Sequence, residues 1–175
     1  MRALKIILIV VVILIAIFFI GGFVLPKSYS VTRTTLIHAP DSVVFGNIAD
    51  LNNFLKWNPW IKMEPSAKVE ITGPIAQPGH MYTWNGDKTG RGQMRITNLS
   101  RYSLVEMELK FIEPFENLAH TQFLLEPEST GTKVSWVMSG QNNSTAEKWM
   151  SLIMEGSLAS DFETGLQLLK ELSEK

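Results

Sequence analysis

The chain contains no cysteine. That removes disulfides, a thiol nucleophile, Cys-ligated metals and a lipoprotein signal, whose cysteine would be acylated. Histidine is also scarce. His38, His80 and His120 stand far apart with no His-Glu-x-x-His spacing, so no metal site is expected. No serine occupies a Gly-x-Ser-x-Gly elbow, and Thr89-Gly90-Arg91-Gly92 lacks the length and the Lys-Ser/Thr ending of a phosphate loop. No cofactor and no catalytic group is therefore assigned. Nor is there an excess of positive charge: the formal net charge is -1, no run of Lys or Arg occurs, and nucleic acid is excluded as a partner. Internal repeats are absent.

What the sequence does have is an apolar run over residues 6–25, free of charge and interrupted only by Gly21 and Gly22. About 20 such residues, at 1.5 Å rise each, span the hydrocarbon of a bilayer. The alternative is a cleaved signal peptide, but the run exceeds the usual h-region and Ile20-Gly21-Gly22-Phe23-Val24-Leu25-Pro26 is a poor cleavage site. The expectation is a membrane anchor over residues 1–27 and one folded domain over 28–175. Arg2 and Lys5 precede the run, which favours a cytoplasmic N-terminus and a single-pass topology with the domain outside, periplasmic or extracellular.

The domain is predicted to be α+β. Residues 29–37 alternate as a β-branched strand, and Ala39-Pro40-Asp41 starts a helix that runs to about Leu55, ended by Trp57-Asn58-Pro59-Trp60. Six further strands are expected at 68–72, 81–84, 91–99, 104–111, 119–126 and 133–139, with Asn85-Gly86 the strongest hairpin signal among the turns between them. Glu106, Glu108 and Lys110 alternate with Val105, Met107, Leu109 and Phe111, so one face of the sheet is apolar and the other wet. Residues 145–173 then carry apolar or small groups at Trp149, Leu152, Ile153, Gly156, Ala159, Phe162, Leu166, Leu169 and Leu172. Those steps of three and four define an amphipathic helix able to lie on the sheet.

This order resembles the helix-grip fold of the START-like or SRPBCC superfamily, which includes the birch pollen allergen and the polyketide cyclases. Ile37-His38-Ala39-Pro40 with Val43-Val44-Phe45 is similar to that family's lead-in to its first helix, and Trp57-Asn58-Pro59-Trp60 to its tryptophan-containing exit. Leu125-Glu126-Pro127-Glu128 through Gly131-Thr132-Lys133-Val134-Ser135-Trp136 resembles the last hairpin, and Asp161-Phe162-Glu163-Thr164-Gly165-Leu166 the closing helix. The resemblance implies a seven-stranded curved antiparallel sheet around the C-terminal helix, used as a container for apolar ligands more often than for catalysis.

Ligand-binding candidates follow from the inward positions: Tyr82, Trp84, Met94, Met107, Phe111, Phe123, Trp136 and Met138 on strands, with Trp149, Ile153 and Gly156 on the long helix. Indole and thioether walls suit flat or flexible apolar molecules. Gly156 and Ala159 are expected to leave a hollow between helix and sheet, with Trp57 and Trp60 as its lid or as a contact with the bilayer interface. His80 alternates with Tyr82 and Trp84 and is the best acid or base should chemistry occur. Arg91, Gln93 and Arg95 are expected on the wet face. The leading expectation is a membrane-tethered, non-catalytic module for a hydrophobic or amphipathic small molecule such as a lipid. The alternatives are a cyclase- or dehydrase-like enzyme and an interaction module with a filled core.

Overall fold

The computed structural model describes residues 2–175. An apolar helix α1 (Arg2–Val24) precedes the strand β1 (Ser28–Ile37), and three short helices follow: α2 (Asp41–Ala49), α3 (Leu51–Trp57) and α4 (Pro59–Met63). Strands β2 (Lys68–Thr72), β3 (Met81–Gly86), β4 (Gly90–Ser100), β5 (Leu104–Glu113), β6 (Asn117–Glu128) and β7 (Gly131–Gln141) then lead to a 29-residue helix α5 (Thr145–Ser173). The seven strands form one antiparallel sheet in the order β1-β7-β6-β5-β4-β3-β2. Hairpins build all of it except the return of β7 to pair with β1.

Alternation sets which face is covered. On β7 every second residue from Thr132 to Gly140 is buried, and on β5 Val105, Met107 and Leu109 are buried between half-exposed or exposed neighbours. The opposite face carries ion pairs that water screens, such as Arg91–Glu113 at 2.7 Å and Arg95–Glu108 at 3.2 Å. The arginine row of β4 is thus on the wet side, as its alternation with Met94 and Ile96 predicts.

The predicted helix over 41–55 is two helices. Asp50 interrupts it: its backbone is extended (φ -83°, ψ 108°), and its side chain accepts from the Asn52 amide to cap α3. Asn58 repeats the device, its carbonyl oxygen accepting from the Trp60 amide at 2.9 Å with Pro59 at the first position of α4. Helix α5 starts on a capping box, in which Ser144 Oγ accepts from the Glu147 amide and Glu147 Oε2 accepts from the Asn143 amide.

The turn between β3 and β4 is displaced from its predicted place. Asn85 and Gly86 belong to β3, and residues 87–89 make the turn. The cause lies 23 residues upstream, where the buried Glu64 carboxylate accepts from the amides of Asp87, Lys88 and Thr89 at 2.7–3.1 Å and from Thr89 Oγ1 at 2.7 Å. A Cβ on Gly86 would stand 2.3 Å from that carboxylate, so glycine is required for close approach rather than for the turn.

Candidate functional site

Helices α2, α3 and α4 and the second half of α5 cover the inner face of the sheet. Antiparallel register lines its side chains into rows: Ile96, Met107, Thr121, Met138 and Val31 across five strands, and Tyr82, Met94, Leu109, Ala119, Gly140 and Tyr29 across the next. Tyr82, Trp84, Met94, Met107, Phe123, Trp136 and Met138 are buried there, and Phe111 is half-buried. The structure therefore brings the strand-borne candidates together on one wall.

Aromatic rings fill the middle of this space. Trp136 stacks on Phe162 of α5 at 4.0 Å between centroids, and Phe123 lies 4.9 Å from Trp136. Trp57, 1% exposed, meets Phe54, Phe123 and Trp136 edge-on and donates its indole N–H to the Asn47 carbonyl at 2.8 Å. Trp60 packs edge-on against Trp136 and Phe162, and its N–H reaches Asp161 Oδ2 at 3.2 Å. The lid and bilayer roles expected for this pair are corrected: one tryptophan is core and the other braces α4 against α5.

The helix candidates are placed differently too. Gly156 is exposed, and a Cβ there would meet nothing within 4 Å; Ile153 is 77% exposed. Neither faces the sheet. At 1.5 Å per residue α5 is about 44 Å long; its buried residues begin only at Ala159 and continue through Phe162, Gly165, Leu166, Leu169 and Ser173, while its first half is tied to the domain by the hydrogen bond from Asn142 Nδ2 to Ser151 Oγ at 2.9 Å. The small residue that permits close packing is Gly165, where a Cβ would lie 2.7 Å from the Trp136 ring and 3.2 Å from Pro59. The hollow predicted beneath Gly156 is replaced by this contact. Trp149 turns instead to α1, its ring packed on Gly21 and its N–H donating to the Phe18 carbonyl at 3.2 Å.

Polar groups inside are few and, His80 Nε2 excepted, separately satisfied. Asn58 Nδ2 donates to the Tyr82 hydroxyl at 3.3 Å, and burial pushes that phenol's pKa well up. Trp136 donates to Thr121 Oγ1 at 2.8 Å, which in turn donates to the Val137 carbonyl. His80 is 0% exposed, its Nδ1 lies 3.3 Å from the Ala49 carbonyl oxygen and 3.4 Å from the Ala76 amide, and its Nε2 has no partner. It is a buried spacer between β3 and the α2–α3 junction rather than a group at an open mouth. Among the described residues no set of three His, Asp or Glu side chains is placed to hold a metal. Two hollows, of about 240 and 430 Å³, have no α5 residue in their walls: one on the outer face around Glu106, His120 and Gln122, the other beside His38, Pro40 and Thr130.

A curved antiparallel sheet closed by a long C-terminal helix, with short helices inserted after the first strand, defines a helix-grip protein. The chain belongs to the family described as polyketide cyclase / dehydrase and lipid transport, whose model matches residues 28–174. Solved structures agree at the level of fold. Protein CV1439 from Chromobacterium violaceum is 18% identical with a TM-score of 0.62, covering 86% of this chain and 99% of its own. The Aha1 dimer from Colwellia psychrerythraea is 17% identical at 0.59, covering 83% and 96%. The di-domain ARO/CYC BexL from the BE-7585A biosynthetic pathway is 17% identical at 0.57; the match covers 85% of this chain and about half, 51%, of that protein. No curated protein matches the sequence.

Proposed function

We propose that this protein is a membrane-tethered, non-catalytic binding module that takes a hydrophobic or amphipathic small molecule, such as a lipid, between its sheet and its helices. The observation that carries the reading is the inner wall. Met94, Met107 and Met138 sit on three strands beside Tyr82, Trp84 and Phe111, and thioethers repack around a guest at lower cost than branched side chains do. Catalysis is less well supported, because the inward polar groups form isolated pairs and no two titratable groups converge on a common point. Tethering rests on α1, which is long and apolar enough to cross a membrane, a composition that a signal sequence shares. Residues 1–27 are the anchor in this reading and 28–175 the binding domain, outside the membrane with the N-terminus on the cytoplasmic side.

A guest must displace ring contacts, since the centre is packed around Trp136 and Phe162. That packing favours the second reading, an interaction module with a filled core. A photoreactive fatty acid carrying a diazirine, added to the full chain in lipid nanodiscs, separates the two. Cross-links to Met94, Met107 or Met138 are expected. Labelling confined to residues 6–25 and to exposed side chains would overturn internal binding and leave the filled-core module.

A further inference from the structure

The first half of α5 carries an apolar side that the domain does not cover. Among the described residues 145–158 none is buried, yet Met150, Leu152, Ile153 and Met154 are large, apolar and 46–77% exposed. At 100° per residue they fall on one broad side together with Trp149, Ala146, Gly156 and the small hydroxyl residues Thr145 and Ser157, while the charged Glu147, Lys148 and Glu155 take the other with Ser151. This side is continuous with the apolar helix α1. Trp149 packs on Gly21 and bonds to the Phe18 carbonyl, Thr145 sits on Gly22, and Lys148 Nζ donates to the Gly22 carbonyl, placing a cation at the C-terminal end of α1. Gly21 and Gly22, the two interruptions in the apolar run, are where α5 crosses it.

A second, separate element points the same way. The turn between β5 and β6 lies at the end of the sheet where β1 leaves the anchor, since Ala119 pairs with Gly140 and Ser28 pairs with Gln141. Its tip carries Phe115, 71% exposed. At the opposite end, the β6–β7 turn carries Glu128, Ser129 and Thr130, all exposed and polar.

We infer that Met150, Leu152, Ile153 and Met154 of α5, with Phe115 of the β5–β6 turn, form a lipid-contacting surface that seats the anchored end of the domain in the bilayer. The occupant is lipid because Phe18 to Gly22 belong to the proposed span, and the helix packed against them lies at the same depth. The inference rests on the tether reading above. It differs from internal binding, since these side chains face outward.

Because the chain has no cysteine, single-cysteine variants report each position directly. Ile13→Cys, Ile153→Cys, Phe115→Cys and Ser129→Cys, each labelled with the fluorophore NBD, are compared in the full chain reconstituted into phosphatidylcholine vesicles with and without nitroxide-bearing lipid. The exposed positions tolerate the change, so folding is not at issue. Residues 153 and 115 should emit to the blue of 129 and be quenched by nitroxide lipid about twofold more strongly. If residue 13 is quenched while 153 and 115 behave like 129, the tether stands and the inference fails. A blue emission at 153 that fades as protein is diluted into excess lipid would show a second copy on this face, and overturn it as well. Absence of quenching at residue 13 would remove the tether reading and the inference with it.

Discussion

The two halves of α5 have similar amphipathic sequence patterns and opposite fates. From Ala159 to Ser173 the helix is held by stacked rings, by the Gly165 contact and, at its edge, by the 2.6 Å pair between Arg33 and Glu163. Over residues 145–158 the same repeat of three and four carries its apolar side to α1 and into the surroundings. Helical periodicity states that one side is apolar and leaves open what covers it. A helix about 44 Å long can satisfy one stripe with two solvents, a protein core along part of its length and lipid along the rest.

The comparison can be broken by substitution, and the largest effect belongs to the gripped half. Phe162→Ala removes the ring stacked on Trp136 and should cost about 3–5 kcal/mol in urea unfolding of the full chain in detergent. Next come the two glycines. Gly165→Ala forces a methyl against Trp136 and should destabilise by about 1–3 kcal/mol, because a stacked, buried indole has little room to give. Gly156→Ala should have the opposite sign, stabilising by about 0.5–1 kcal/mol, since it meets nothing and gains helix propensity. A loss of stability at Gly156 comparable with that at Gly165 would mean that the first half is gripped as well. The smallest effect falls on Ile153→Ala, within about 0.5 kcal/mol by the same unfolding measurement, although it deletes more apolar surface than the glycine changes add.

The remaining test concerns slope with pH. Glu64 has its pKa lowered to about 2, chiefly by the Thr89 hydroxyl and then by the Thr89, Lys88 and Asp87 amides, against the opposing effect of desolvation. A folded pKa below the unfolded one gives stability that is fully present above the ordinary carboxylate range, and lost as pH falls from there toward about 2. Glu64→Gln should flatten this part of the stability–pH curve, read from unfolding midpoints between neutral and acid pH. An unchanged acid slope would mean that the carboxylate does not hold the β3–β4 turn in solution.

Much of the architecture was legible because it rests on local period and punctuation. The alternation in β5 and β7 and the charge-free run over residues 6–25 each state their structure within a few residues. The predicted strands agree with those observed to within two residues at each end. The strand-borne candidates also gather on one wall, since inward position follows from parity. What failed was whatever depended on a distant partner. Asn85-Gly86 reads as a turn until Glu64 reaches across to the next three amides. Trp57 and Trp60 read as a loop pair until Trp136 and Phe162 take them in. His80 reads as a candidate acid or base until the α2–α3 junction closes over it and leaves it a buried spacer.

By itself, then, the amino-acid order determined the strands and the two long helices, their sequence along the chain and the face each strand turns inward, but not the division of residues 41–63 into three short helices. Only the tertiary structure decided where the burial of α5 begins, and so that Gly165 rather than Gly156 is the glycine packed against the sheet. The physical reason is that hydrogen bonding and side-chain parity act over one turn or one strand pair, whereas burial depends on which surfaces arrive at the same place.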